Sequence, residues 1–159
     1  MRDGRWAAIG LALAAFGLDR WSKIWAAEAL LSRSGFQLML LPRVIQLRYM
    51  ENGGMAFSLL SGSGALLIGL TGLLLAGIFL YILLAKKLPV RMLCALGLAL
   101  GGGLGNLYDR IAYGKVIDFI EPLFVDFAIF NVADVFVCTG AGLCALWILF
   151  GGKKGEERP

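Results

Sequence analysis

The polar residues between Gly101 and Asp134 stand out in an apolar chain. This stretch holds four aspartates, a glutamate, an arginine and two asparagines, although 59% of the 159 residues are hydrophobic. A carboxylate buried without a partner is costly, so ionisable groups beside membrane-length apolar segments indicate a functional site. We interpret this stretch as an active site.

Two carboxylates held close together do not readily both ionise. One keeps a proton and polarises a carbonyl while the other takes a proton from water, and such a pair can hydrolyse an amide. The chain contains no histidine, which excludes the His-dependent triads. Asp118 and Asp134 form the natural pair, because one follows the third apolar run and the other begins the last. On spacing alone, Asp109 or Asp126 could take either place.

Each aspartate also has a purely structural interpretation. Asp109 lies next to Arg110, which favours pairing with neighbouring side chains. Asp126 fits an exposed strand or turn position. Asp134 stands at a predicted helix start, where a carboxylate interacts favourably with the helix dipole. From local sequence, that interpretation of Asp134 competes evenly with catalysis.

The composition is that of a membrane protein. Mean hydropathy is +0.79, and the hydrophobic share exceeds the roughly 45–50% of soluble domains. The net charge of +4 needs no nucleic acid, because membrane proteins concentrate Lys and Arg in cytoplasmic loops. Cys94, Cys138 and Cys144 fall in apolar segments without a CxxC spacing, so we expect them to pack rather than react. The chemistry requires no metal and no cofactor.

Four apolar runs predict an α-helical integral membrane protein with four transmembrane helices in a single domain. At ~1.5 Å per residue, a helix of ~20 residues crosses a hydrocarbon core of ~30 Å. The predicted helices cover residues 6–27, 64–85, 92–108 and 134–152.

The two longer connections, residues 28–63 and 109–133, fall on one side of the membrane. Residues 44–50 alternate apolar and polar side chains, and residues 123–129 are apolar and β-prone, so both predict short strands of a small surface sheet. Asn52 lies in a turn-rich segment, where its amide could bond to an extended peptide. A plain turn is the better interpretation from local sequence alone.

The distribution of basic residues predicts the orientation. Short segments on one side carry most of them, and the positive-inside rule makes that side cytoplasmic, with both termini. These residues are Arg2, Arg5, Lys86, Lys87, Arg91, Lys153, Lys154 and Arg158. The aspartate cluster then faces outward, near the membrane surface.

Helical spacing groups several of these residues. Gly97, Gly101 and Gly105 recur every fourth residue, a stripe that lets another helix approach closely. Asn106 and Arg110, which are four residues apart, lie on one side of the same helix if it continues.

Two further pairs have helical spacing. Asp19 and Lys23 can pair as an acid followed by a base, and we favour a structural role for them. Asn131 and Asp134, three apart, share the first turn of the last helix.

Four short motifs contain most of the polar residues. They are Asp19-Arg-Trp-Ser-Lys23, Asn52-Gly-Gly-Met-Ala-Phe57, Gly105-Asn-Leu-Tyr-Asp-Arg110 with Gly114-Lys-Val-Ile-Asp-Phe119, and Phe130-Asn-Val-Ala-Asp134. Their order and spacing closely resemble bacterial lipoprotein signal peptidase, also called signal peptidase II, over nearly the whole chain. Each motif alone is weak, but four in register are specific.

The resemblance implies an aspartic endopeptidase of the bacterial inner membrane, and we expect it to be a monomer. Such an enzyme removes the signal peptide of a prolipoprotein just before a cysteine that carries a diacylglyceryl thioether, so its partners are that substrate and membrane lipids. The resemblance also implies a periplasmic sheet cradle and a loop or short helix over the site, which fits residues 28–63 and 123–129.

The resemblance also implies residue roles. Asp118 and Asp134 match the family's catalytic aspartates. The substrate-binding matches are Asn52, Asn106, Arg110 and Asn131, and the supporting matches are Asp19, Lys23, Asp109 and Gly54. Met55 is bulkier than the small residue often found there, and Val135 replaces a frequent small polar residue.

Other functions fit the residues less well. A serine and lysine dyad at Ser22 and Lys23 is disfavoured, because adjacent helical residues point about 100° apart. A presenilin-like protease would require Gly-x-Gly-Asp, and Tyr108-Asp109 is not enough. A small transporter or channel subunit could use buried aspartates for protons or cations, but helix two has no charge and the acids gather at one surface. The density of polar residues there also argues against a scaffold.

Overall fold

A computed structural model describes residues 2–54, 64–86 and 88–151. Within these residues the chain forms four long helices and a three-stranded sheet, and a short turn of π-helix, Trp147–Gly151, extends the last helix. In chain order the elements are α1 (Arg2–Leu31), β1 (Gln37–Leu41), β2 (Ile45–Asn52), α2 (Gly64–Leu84), α3 (Val90–Tyr113), β3 (Val116–Pro122) and α4 (Val132–Leu146).

Within the part of the chain that the structure describes, three helices are long and apolar enough to cross a membrane, which makes this a membrane protein. They are Gly64–Leu84, Val90–Tyr113 and Val132–Phe150, with mean hydropathies of 2.5, 1.4 and 2.0. The first helix, α1, has 30 residues, but Asp19, Arg20 and Lys23 interrupt its apolar face. That α1 also crosses stays a prediction.

The third helix is longer than predicted. It continues past residue 108 to Tyr113, so Asp109 and Arg110 lie within α3 and not in the connection after it. No glycine or proline lies between residue 108 and Gly114, whose φ of +72° ends the helix with a left-handed cap. Both groups are therefore held by a rigid helix.

The sheet differs from the prediction on one strand. The strand predicted at 44–50 is confirmed as part of β2, which pairs antiparallel with both β1 and β3. The strand predicted at 123–129 is wrong, because the third strand is Val116–Pro122. Its β-branched and aromatic residues favour a strand, and Pro122 lies at its end, where a missing N–H is tolerated. Asp118 consequently lies on a strand, opposite Met50, and not in a loop.

A small apolar cluster fixes the sheet to the end of α1. Ala26 and Leu30 of α1 pack against Leu47 of β2 and Phe119 of β3, and all four are buried. Because Phe119 is next to Asp118, this cluster positions that carboxylate. The covering segment predicted within residues 28–63 falls in part on residues 55–63, outside the described residues.

The glycine stripe of α3 packs against α1, as predicted. A Cβ on Gly97 or Gly101 would overlap the carbonyl oxygens of Ala8 or Ala12, and one on Gly105 would overlap the Asp19 carboxylate. These glycines allow close approach of the two backbones. The same contact lets side chains of α1 reach polar residues of α3.

Gly101→Ala is expected to destabilise the protein by about 1–3 kcal/mol, because the added methyl meets backbone that cannot yield. Gly69→Ala is the matched control, since nothing lies within 4 Å of its Cβ position. Thermal unfolding in detergent should separate the two variants. Equal melting temperatures would contradict close packing of α1 on α3.

Candidate active site

The predicted polar residues meet at one end of the helix bundle. α1 supplies Asp19 and Lys23, and the other elements supply residues close to them in space. These are Asn52 at the end of β2, Asn106, Asp109 and Arg110 on α3, Asp118 on β3, and Asn131 and Asp134 at the start of α4.

Asp118 is a buried carboxylate with two amide donors. Only 2% of the residue is exposed. Its Oδ2 accepts a hydrogen bond from Asn52 Nδ2 at 2.9 Å, and its Oδ1 accepts one from Asn131 Nδ2 at 2.6 Å. Burial raises the pKa of Asp118, and the Asp134 charge adds to this, while the two amide bonds act in the opposite direction.

Asp134 closes a capping box at the start of α4. Its backbone N–H donates to Asn131 Oδ1 at 3.0 Å, and its Oδ2 accepts from the Asn131 backbone N–H at 3.1 Å. Its Oδ1 accepts from Asn106 Nδ2 at 2.7 Å. The interaction predicted at the helix start is therefore present, but the carboxylate also faces the polar cluster.

Asn131 joins the two aspartates. Its side-chain Nδ2 donates to Asp118, and its backbone N–H donates to Asp134. Asn131 is thus a hydrogen-bond partner of both carboxylates, and each carboxylate accepts two N–H hydrogen bonds. The charge of Asp134 disfavours a second charge on Asp118, so the pair favours one ionised and one protonated carboxyl group.

Behind this pair lies a fully buried ion network. Lys23 Nζ is 2.9 Å from Asp19 Oδ2, from Asp109 Oδ2 and from Asn106 Oδ1. The pair predicted between Asp19 and Lys23 is therefore present. Asp19 also accepts from the Ala133 backbone N–H at 3.0 Å, which ties α1 to the first turn of α4.

Comparison with known proteins identifies the same family as the four sequence motifs. A family model described as "Signal peptidase (SPase) II" matches residues 11–150. The chain belongs to the signal peptidase II family. The resemblance read from the four motifs is thereby confirmed, and with it the enzyme class, a hydrolase that processes lipoprotein signal peptides.

Individual relatives support this family assignment. A lipoprotein signal peptidase of Streptococcus thermophilus is 35% identical over 145 residues, covering 91% of this chain and 93% of the relative. One from Pseudoalteromonas translucida is 42% identical over 131 residues, covering 74% and 72%. A solved bacterial membrane enzyme superposes with a TM-score of 0.83 at 26% identity, covering 96% of this chain and 93% of that chain.

Two further polar residues of these motifs, Arg110 and Asn52, make different contacts at the site. The half-buried Arg110 reaches the Asn106 carbonyl oxygen at 3.4 Å, and among the described residues it forms no ion pair. The Asn52 amide, predicted to bind peptide, donates to Asp118. Its Oδ1 accepts from the backbone N–H of Gly54, whose φ of +93° suits glycine.

Sequence reasoning missed Arg20. Asp109 pairs with Arg20 and Lys23 of α1, and not with its neighbour Arg110. The Arg20 guanidinium also lies 4.6 Å from the centre of the Tyr108 ring, which gives a cation–π contact. The only signal was its place inside the first motif, because its partners lie far away in sequence.

Proposed function

We propose that this protein is an aspartic endopeptidase that removes signal peptides from diacylglyceryl-modified prolipoproteins, cleaving just before the lipidated cysteine. Asp118 and Asp134 would activate the water. The observation that carries this proposal is the pair of carboxylates joined by Asn131. The names of the relatives, lipoprotein signal peptidases, supply the substrate class.

The reaction follows from two carboxylates that share one proton. The ionised aspartate takes a proton from water, whose oxygen attacks the scissile carbonyl carbon, and the protonated aspartate donates to the carbonyl oxygen. The C–N bond of the tetrahedral adduct then breaks as the leaving nitrogen takes the proton that the first aspartate had accepted from water. A hydroxyl of the adduct returns its proton to the second aspartate, which restores the starting state of both groups. Arg110, which has five N–H donors, would hold a peptide carbonyl beside the dyad, with Asn52 as a second holder.

The substrate would enter sideways from the bilayer. α3 packs against α1, α4 and α2, while the described residues of α2 and α4 make few contacts with each other. Gly102 faces α4 and Gly103 faces α2, so the surface of α3 between them leads outward to Asn106 and Arg110. The signal helix would occupy this opening.

An apolar cavity suits the lipid part of the substrate. A volume of about 610 Å³ lies between α1, α2 and α3, and its lining includes Phe16, Leu75, Leu104 and Tyr108. A cavity of this size with few polar atoms fits hydrocarbon chains. We propose that acyl chains of the bilayer or of the substrate occupy it.

The proposal also includes an orientation of the protein in the membrane. α1 would be the fourth span, both termini would be cytoplasmic, and the dyad would lie at the periplasmic face of the inner membrane, because the basic residues concentrate in short segments at the opposite end. We propose that the enzyme acts as a monomer, without nucleic acid.

Purified protein is expected to cleave a prolipoprotein only after diacylglyceryl modification. A gel-shift assay in detergent would compare the modified and the unmodified substrate. Cleavage of both substrates would mean that the enzyme does not require the lipid. No cleavage by well-folded protein would favour transport of protons or cations by the buried aspartates.

A further inference from the structure

Lys23 is a buried ammonium group that does not touch either aspartate of the proposed dyad. It is 0% exposed, and its three partners among the described residues are Asp19, Asp109 and the side-chain oxygen of Asn106. Burying a charge in this way is costly unless it is well paired. Two of the partners balance its charge, and the third connects it to the dyad.

Lys23 fixes the orientation of the Asn106 amide. An ammonium group has donors only, so the Asn106 atom that faces it must be the oxygen. That oxygen also accepts from Asn131 Nδ2 at 3.1 Å. The amide nitrogen of Asn106 is therefore directed at Asp134 Oδ1, 2.7 Å away. A donor polarised by a nearby cation stabilises a negative acceptor more than a neutral one.

The two aspartates differ in the rest of their surroundings. Asp134 lies in the first turn of α4, where the helix dipole favours negative charge, and it accepts a backbone N–H there. Asp118 lies on a strand, is almost fully buried and, among the described residues, accepts from the uncharged side-chain amides of Asn52 and Asn131. The surroundings favour charge on Asp134 and a proton on Asp118.

The charges around the dyad balance only with one bound proton. Four carboxylates and three cations meet here: Asp19, Arg20 and Lys23 of α1, Asp109 and Arg110 of α3, Asp118 of β3 and Asp134 of α4. With every group ionised, the sum is −4 + 3 = −1. One proton on an aspartate makes the cluster neutral, which a low-dielectric site favours.

We propose that Lys23 is a positioning residue that acts through the Asn106 amide to keep Asp134 ionised as the general base, so that Asp118 holds the proton and acts as the general acid. This assignment rests on the proposed dyad. It gives the two carboxylates distinct roles and gives Lys23 a function beyond pairing with Asp19. Burial raises the pKa of Asp118, in agreement with this assignment, and it outweighs the Lys23 charge, which alone would lower that pKa.

The pH–rate profile of Lys23→Met tests this role. The acidic limb of kcat/KM for a lipidated prolipoprotein should move to higher pH by about one unit or more, because loss of the cation disfavours the ionised base. Activity should recover toward the alkaline end. Lys115→Met is the control, since Lys115 pairs with the exposed Glu51, and its profile should match that of the wild type.

A double variant keeps the test possible if Lys23→Met alone does not fold. Lys23→Met removes the cation that pairs with Asp19 among the described residues, whereas Lys23→Met with Asp19→Asn removes one charge of each sign. The acidic limb of the pH–rate profile should still move in the double variant, because Asn106 has lost its ammonium partner. An unshifted limb with lower activity at every pH would mean that Lys23 is only structural, and a folded variant without activity at any pH would also overturn the proposal.

Infrared spectra test the proton assignment without changing Lys23. A protonated carboxyl band present in the wild type at neutral pH should vanish in Asp118→Asn. Persistence of the band in Asp118→Asn together with its loss in Asp134→Asn would reverse the two roles. Absence of any cleavage by the wild type would instead reject the proposed function, so the two failures are distinguishable.

Discussion

Asp118→Asn and Asp134→Asn are each expected to lower the rate of prolipoprotein cleavage by roughly 10³-fold or more, with little loss of folded protein. Each substitution removes one of the two proton-transfer groups, and general acid–base catalysis alone contributes about 10²–10⁴-fold. Asparagine nearly preserves the side-chain shape, so packing around the buried Asp118 should survive, and the loss of one acceptor oxygen should cost only about 1–3 kcal/mol of stability. Single-turnover cleavage measured by gel shift, with thermal unfolding in detergent, gives both quantities.

The two variants should bind substrate. Arg110 and Asn52, the proposed holders of the peptide, are unchanged in both, so affinity for an uncleaved lipidated prolipoprotein should stay near that of the wild type. Asp126→Asn is the control, because Asp126 is exposed and lies outside the cluster. Turnover retained in either Asp118→Asn or Asp134→Asn would remove that residue from the dyad.

The local sequence predicted most of the polar residues of the site but not the contacts between those on different elements. Asp19 and Lys23, four apart on α1, pair as predicted, because a helix alone sets that distance. Asn131 and Asp134 likewise share the first turn of α4. In contrast, the contact of Lys23 with Asn106 depends on how closely α1 packs on α3, which no local pattern specifies.

The errors have a common physical origin. The apolar residues at 123–129 suggested a strand, but residues 124–128 are exposed and only Phe130 forms an isolated bridge, to Ile120. Pairing with β2 instead selected Val116–Pro122, in which Asp118 interrupts an apolar run. Sheet register is a tertiary property, so the strand that carries a proposed catalytic residue was mistaken for a loop.

The partners of Asp109 show the same limit. Its neighbour in sequence, Arg110, lies one residue away on α3 and therefore points in a different direction. Arg20, 89 positions earlier, makes the ion pair instead. Charge balance within a buried cluster favours an opposite charge, but sequence alone did not identify which cation would supply it.

Asp109→Asn is expected to destabilise the protein by about 3–5 kcal/mol, the usual cost of breaking a buried ion pair by removing one partner. Asp109 is 0% exposed and binds both Lys23 and Arg20. Among the described residues, its loss leaves Arg20 without a carboxylate, and it leaves Lys23 with one carboxylate, Asp19, and the Asn106 oxygen. Thermal unfolding in detergent, with Asp126→Asn as control, measures the effect.

Arg20→Met separates the two ion pairs of Asp109. The Arg20 side chain is 13% exposed, whereas that of Lys23 is 0% exposed. After Arg20→Met, Asp109 keeps its bond to Lys23, so the loss of stability should be smaller than for Asp109→Asn. If instead Asp109→Asn melted like the wild type, the network would not stabilise the fold. Asp109 would then act only through the charge it contributes near the dyad.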